Sequence, residues 1–370
     1  MSKITRREFQ FGAGLAFAGL SSLNTNKTSA SSIEIPEIMR QNPLSRIVFG
    51  SCCHQDKEQP IWDSILARKP ELFMFLGDNI YGDTRDMDAL SRKYKKQSPN
   101  FKAIRDECDV IAIWDDHDFG ENDAGKEYPF RDQSKEIFFD YWDEPKKSNR
   151  RREGDGIYTS YLYGSQEKRV HVILPDLRYN RDNLRAVDSL AKAKERDLAG
   201  FGPYLPIANK NQTMLGEAQW HWLEQQMQIP SKIKIIASSL QFVATQPGWE
   251  AWSNFPHERQ RLIDLINKYR VNGVFFVSGD THWAEISCQQ KDGPYPLWDV
   301  TSSGLTETWE NVSPNAYRWN DKSYSGQNFG AIYIDWELND PLIVFEVRDV
   351  NGNRVFHHSI MLSSLQGNWL

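Results

Sequence analysis

Three aspartates, Asp78, Asp116 and Asp280, each follow within three residues of an apolar run, and each is followed by a residue able to ligate or carry a proton. Asp78 precedes Tyr81, Asp116 precedes His117, and Asp280 precedes His282. A fourth run, 46–49, ends in Gly50-Ser51-Cys52, with His54 close behind. If these runs are neighbouring buried strands, the loops at their carboxyl ends meet in space and gather a thiol, a phenol, imidazoles and carboxylates. Carboxylates crowded in this way repel one another, and their pKa values rise unless a cation neutralises them. The pattern therefore points to a multinuclear metal centre among Cys52, Asp78, Tyr81, Asp116, Asp280, His54, His117 and His282. Paired metals a few ångströms apart suit phosphoryl chemistry, because they hold a phosphoryl oxygen and generate hydroxide from water.

The donor types constrain the ions. Thiolate and phenolate favour iron at one position, and an oxygen-rich neighbour suits calcium, with magnesium, manganese or zinc as alternatives. Asp78, placed centrally, could bridge two ions. Each residue also has a plain structural role open to it: turn closure for Asp78 and Asp280, capping for Asp116 and His117, packing for Cys52 and Tyr81. Arg178 carries a fork of donors that fits a phosphate clamp, against an ordinary salt bridge. Asp115 and Asn122 could complete a second metal's shell or fix their loop.

The elements that must position these groups are short. Runs at 46–49, 72–76, 110–114, 233–237 and 273–277 are almost continuously apolar, as expected of strands buried on both faces. Helical patterns at 61–68, 101–107, 131–142, 217–227 and 257–269 alternate with them, which gives an α/β architecture. A hairpin over 157–163 and 169–174, and alternating segments at 283–288, 297–301, 329–336, 342–347 and 354–361, are expected to form a second sheet packed on the first. Long polar stretches at 179–214 and 306–325 are expected to be lids or substrate walls.

A net charge of -6 with both signs interspersed excludes a general nucleic-acid binder, which needs a basic face. Residues 1–30 are expected to be an export signal: Arg6-Arg7-Glu8-Phe9 leads a Gly/Ala-rich apolar run that ends at Thr28-Ser29-Ala30, a pattern of twin-arginine type. The expectation is thus a single catalytic domain over 31–370, delivered to the periplasm or secreted by the twin-arginine export machinery. No later stretch approaches the roughly 20 apolar residues of a membrane span. Four cysteines, Cys52, Cys53, Cys108 and Cys288, do not make a disulfide framework in 370 residues, and the last three are expected in the core.

At these residues the chain resembles the alkaline phosphatase D family, a branch of the calcineurin-like metallophosphoesterases. The resemblance rests on Phe49-Gly50-Ser51-Cys52, on Gly77-Asp78-Asn79-Ile80-Tyr81-Gly82-Asp83, on residues 114–123 (WDDHDFGEND) and on Ser278-Gly279-Asp280-Thr281-His282. The blocks Leu174-Pro175-Asp176-Leu177-Arg178-Tyr179 and Gly248-Trp249-Glu250-Ala251-Trp252 extend it, so that it spans about Arg46 to Leu305. It implies two mixed β-sheets sandwiched between helices, with Cys52, Asp78, Tyr81, Asp116, Asp280 and His282 as the metal ligands, Asp78 bridging and Tyr81 an extra phenolate. It also implies that His117 protonates the leaving group or steadies the transition state. His54 falls on a ligand register of the wider superfamily, and Gln241 stands where that superfamily has a further histidine. Family members with an extra β-rich domain ahead of the catalytic one differ here, since only residues 31–45 separate the signal from the first strand. The expected function is an exported, metal-dependent alkaline phosphatase or phosphodiesterase. The alternatives are a hydrolase of phospholipid or phosphonate esters and a periplasmic metal- or phosphate-binding protein without turnover.

Overall fold

The computed structural model describes residues 36 and 38–369; the expected export signal lies outside the described residues. Two β-sheets form the centre. The first has eight strands in the spatial order Ile38–Arg40, Thr159–Tyr163, Val170–Leu174, Ile233–Ala237, Val274–Ser278, Leu297–Ser302, Ala284–Gln289, Arg318–Tyr324. The second has six, in the order Arg354–Met361, Leu342–Asp349, Asn328–Asp335, Arg46–Gly50, Leu72–Leu76, Asp109–Ile113. Both mix parallel and antiparallel pairs. The sheets pack face to face, with Phe275 of one against Phe345 of the other at a ring separation of 5.1 Å.

The five apolar runs that precede the polar loops are strands, as their buried composition requires, but they do not share one sheet. Arg46–Gly50, Leu72–Leu76 and Asp109–Ile113 run parallel in the six-stranded sheet, whereas Ile233–Ala237 and Val274–Ser278 are parallel neighbours in the eight-stranded one. The later strands do not form a separate second layer either. Ala284–Gln289 and Leu297–Ser302 extend the larger sheet, and Asn328–Asp335 returns to pair antiparallel with Arg46–Gly50 in the smaller. Apolar composition records that a strand is buried, not which sheet buries it.

Helices cover the outer faces. Met87–Glu107 lays Leu90, Tyr94, Phe101 and Ile104 on the six-stranded sheet, where Phe101 lies 4.4 Å from Phe75. This helix starts well before the expected 101–107 and runs through Pro99. An interior proline costs about 3 kcal/mol, and the buried aromatic face of this long helix offsets it. Glu217–Gln228 and Pro256–Lys268 flank the larger sheet, where Phe242 stacks on Phe276 at 3.8 Å. The two polar stretches are less irregular than expected. Residues 179–214 contain the helix Leu190–Leu198 and the paired Arg185–Ala186 and Tyr204–Leu205, and residues 306–325 contain the edge strand Arg318–Tyr324.

Candidate metal centre

The parallel strands of the smaller sheet deliver their carboxyl ends side by side, and Val274–Ser278 delivers its own from the larger sheet. The loops touch through backbone bonds: Cys53 N donates to Asp78 O at 2.8 Å, and Gly279 N donates to Ser239 O at 3.0 Å. Two glycines make the approach feasible. A Cβ at Gly77 would lie 2.5 Å from the Cβ of Asp115, and one at Gly279 would lie 2.5 Å from Ser51 Oγ. Four candidate ligands pay for their aim in backbone conformation: Cys52, Asp78, Asp280 and His282 have φ of 62°, 50°, 68° and 63°. Non-glycine residues seldom occupy this left-handed region, and such residues cluster at functional sites.

Ligand atoms of Cys52, Asp78 and His282 lie within 4.8 Å of one another, and so do those of Asp78, Asp115, Asp116 and Asp280. Asp78 belongs to both groups. Cys52 Sγ lies 3.4 Å from Asp78 Oδ2 and 3.1 Å from Ser303 Oγ. Tyr81 brings its hydroxyl to 3.0 Å from His282 Nε2, on a backbone gripped by Gln55 and by Lys93 Nζ. All six expected ligands therefore meet in one place. His54 does not join them as a ligand: its Nδ1 accepts the backbone N–H of Asp56, and its ring stacks on Tyr81 at 4.9 Å. Gln241 turns its amide nitrogen to Glu285 and Thr301 within the larger sheet.

Burial pushes the carboxyl groups of Asp78 and Asp280 well above the carboxylate range, and neighbouring aspartates add to the rise. Burial likewise raises the thiol of Cys52, with Asp78 contributing repulsion. Asp116 goes the other way: burial opposes its ionisation, but Arg178 and His117 outweigh that and hold it at about 2. His117 is pushed up to about 11, since Asp116, Asp78 and Asp83 overcome the effect of burial. Its Nδ1 sits 2.8 Å from Asp83 Oδ1, and its ring leans on Tyr81 at 4.3 Å.

Arg178 is placed differently from the expected phosphate clamp. It is fully buried and pairs with Asp115, with Glu250 at 2.6 Å and with Asp116 at 3.6 Å. Its Nε and Nη1 donate to Asp115 and Glu250, and its Nη2 faces Asp116 without a hydrogen-bond partner, so its geometry is that of a counter-charge behind the cluster. Asp83, Glu250, Ser239 and Ser303 were not singled out from the sequence. Both Asp83 and Glu250 lay within matching blocks, but nothing local marks Asp83 as the partner of a histidine 34 positions away.

The donor set fits metal ions. Asp115 Oδ2 and Asp116 Oδ1 are buried without a hydrogen-bond partner, a costly state that a cation would relieve. Sulfur, nitrogen and phenolic oxygen gather around Cys52, while carboxylate oxygens gather on the other side of Asp78, with a ring nitrogen of His117 within 4.8 Å of Asp78 and Asp116. Beside the cluster opens a pocket of about 150 Å³, lined in part by Asp78, Asp116, His117, Asp280 and His282. Asn122 lines it too.

Comparison with known proteins agrees with this geometry. The profile of the PhoD-like phosphatase family matches residues 47–330. Alkaline phosphatase D of Bacillus subtilis (strain 168) is 24% identical over 286 residues, covering 65% of this chain and 47% of that protein. The chain thus spans about half the length of this curated relative. The solved structure of PhoD superposes with a TM-score of 0.63 at 15% identity, covering 90% of this chain and 73% of the other. A dimetal phosphatase from Danio rerio gives 0.50 at 15% identity, covering 87% of this chain and all of that one. At such identities the structural likeness speaks for the fold, and the match over 47–330 speaks for descent: the chain belongs to the PhoD-like phosphatase family.

Proposed function

We propose that this protein is a metal-dependent phosphoric ester hydrolase, an alkaline phosphatase or phosphodiesterase. The observation that carries the reading is the position of Asp78, shared between a group with thiol and imidazole and a group of carboxylates. When bound, metal ions supply charge neutralisation, polarisation of the phosphoryl group and activation of water. Cys52, Asp78, Tyr81 and His282 would hold one ion, and Asp78, Asp116 and Asp280, with Asp115 beside them, a second; iron and calcium suit the two donor sets. Arg178 keeps Asp115, Asp116 and Glu250 in register by balancing their charge. His117 is the general acid. With Nδ1 committed to Asp83, its other nitrogen is left to pass a proton to the departing alkoxide.

Export through the twin-arginine machinery belongs to the same proposal and rests on Arg6-Arg7 and the apolar run behind them. Among the described residues no helix is long and apolar enough to cross a membrane. The test is turnover of a phosphomonoester and a phosphodiester before and after chelation, with Asp78→Ala as control. Metal-dependent hydrolysis lost by at least about a thousandfold in the variant is the expected result. Unchanged turnover in the variant would remove the proposal, and metal binding without turnover of either ester would favour a binding protein.

A further inference from the structure

The pocket beside the metal cluster has a second wall of a different kind. Trp249, Trp283 and Trp309 line it, and among the described residues no lysine or arginine does. These rings come from three separate segments, and each is held in place by backbone contacts. Trp309 N donates to His282 O at 2.9 Å, which ties the ring to the loop of a candidate ligand. Trp249 packs over Gly202, where a Cβ would come within 2.6 Å of the indole, so the 179–214 stretch forms the floor beneath it. Trp249 and Trp309 meet edge to face at 5.7 Å. Trp309 keeps 41% of its surface exposed, although a ring of this size ordinarily finds more cover. Trp283 is buried, and its indole N–H has no acceptor.

The two remaining tryptophans of this region show what plain packing looks like. Trp252, three positions from Trp249, is fully buried and donates to Ser238 Oγ at 3.1 Å. Trp220 is also fully buried and donates to Glu258. Trp309 lacks such closure, which leaves a partly exposed aromatic surface beside the reacting centre.

We propose that Trp249, Trp283 and Trp309 form a leaving-group subsite that selects phosphoric esters of flat, uncharged aromatic alcohols. The inference rests on the phosphatase reading above and adds a substrate class to it. An aromatic leaving group stacks on Trp309 and abuts the edge of Trp249, while the buried Trp283 backs the wall. An alcohol carrying further phosphate finds no cation on this wall, while Asp123 lines the same pocket and repels it.

Benzyl phosphate and ethyl phosphate test this, because their alcohols are comparable leaving groups and differ in the ring. For the full-length metal-loaded protein, kcat/KM for the benzyl ester should exceed that for the ethyl ester roughly fivefold to tenfold. Trp309→Ala should bring that ratio close to one, and Trp309→Phe should retain most of it. Calorimetric binding of benzylphosphonate and ethylphosphonate gives the same comparison without turnover. Hydrolysis of both esters without preference, or a ratio untouched by Trp309→Ala, overturns the subsite and leaves the phosphatase reading standing. No hydrolysis of either ester, with the phosphonate preference and its Trp309 dependence intact, supports the subsite and overturns the reaction. Absence of both hydrolysis and preference overturns both.

Discussion

Asp83 holds His117 Nδ1 at 2.8 Å and, in the metal-free chain, adds to Asp116 and Asp78 in pushing the imidazole pKa up to about 11. A histidine raised in this way stabilises the fold fully below its unfolded pKa of about 6.5, and the contribution disappears as pH rises through about 11. Asp83→Asn should therefore lower the pKa of His117 and draw the alkaline limb of kcat/KM down by about one pH unit, with little change at neutral pH. A pH–rate profile of the two proteins checks this; an unmoved alkaline limb would separate His117 from the proton transfer. At this scale the six ligand candidates were legible because each stands at the end of an apolar run with other donors nearby. Asp83 was not, since its partner is chosen by the meeting of two loops. The clamp expected at Arg178 failed for a similar reason: a sequence shows that a guanidinium is present, not that Asp115, Asp116 and Glu250 already occupy it.

Two elements carry stability predictions. Gly77 joins the strand Leu72–Leu76 to Asp78 with φ of 102° and packs against Asp115. Gly77→Ala should cost about 2–4 kcal/mol in urea unfolding and should also lower turnover, because the added methyl group pushes apart the loops that carry Asp78 and Asp115. Wild-type stability and activity in this variant would mean that the close approach is not needed. In the strand Ile233–Ala237, Lys234 is buried, and its ammonium bonds Gln226 O, Ile229 O and His171 Nδ1. Burial pushes its pKa down to about 7. Above about 10.4 neither state is charged; below that the unfolded chain takes up a proton that the folded site refuses until about 7, so stability falls as pH falls through this window. Relative to Lys234→Met, the wild type should lose on the order of 3 kcal/mol between pH 10 and pH 7. Parallel stability curves would show that its three acceptors keep Lys234 charged throughout. Strand positions were legible to within a residue or two, because buried runs advertise themselves. The helix through Pro99 was hidden because a proline after Ser98 reads as a stop, whereas the decisive term is the packing of Leu90, Tyr94 and Phe101 on the sheet.

For the whole molecule, the pairing of sheets was the least legible feature. Residue patterns give α/β, a polar end to each strand and a second sheet packed on the first; that both sheets are mixed came from resemblance, and the sharing of late strands between them came only with the structure. That sharing matters for the site, because Asp280 and His282 arrive from the larger sheet while Cys52, Asp78 and Asp116 arrive from the smaller. The candidate centre thus lies at a seam between the sheets, and cations held by these residues would bind the two layers together. The direct test is the metal content per chain, by mass spectrometry, of the wild type and of Asp78→Ala purified side by side. At least two ions per chain in the wild type, with most of both lost in the variant, is the expected result. Less than one ion in the wild type, or a variant that holds as much metal, would contradict the shared centre on which the proposed chemistry depends.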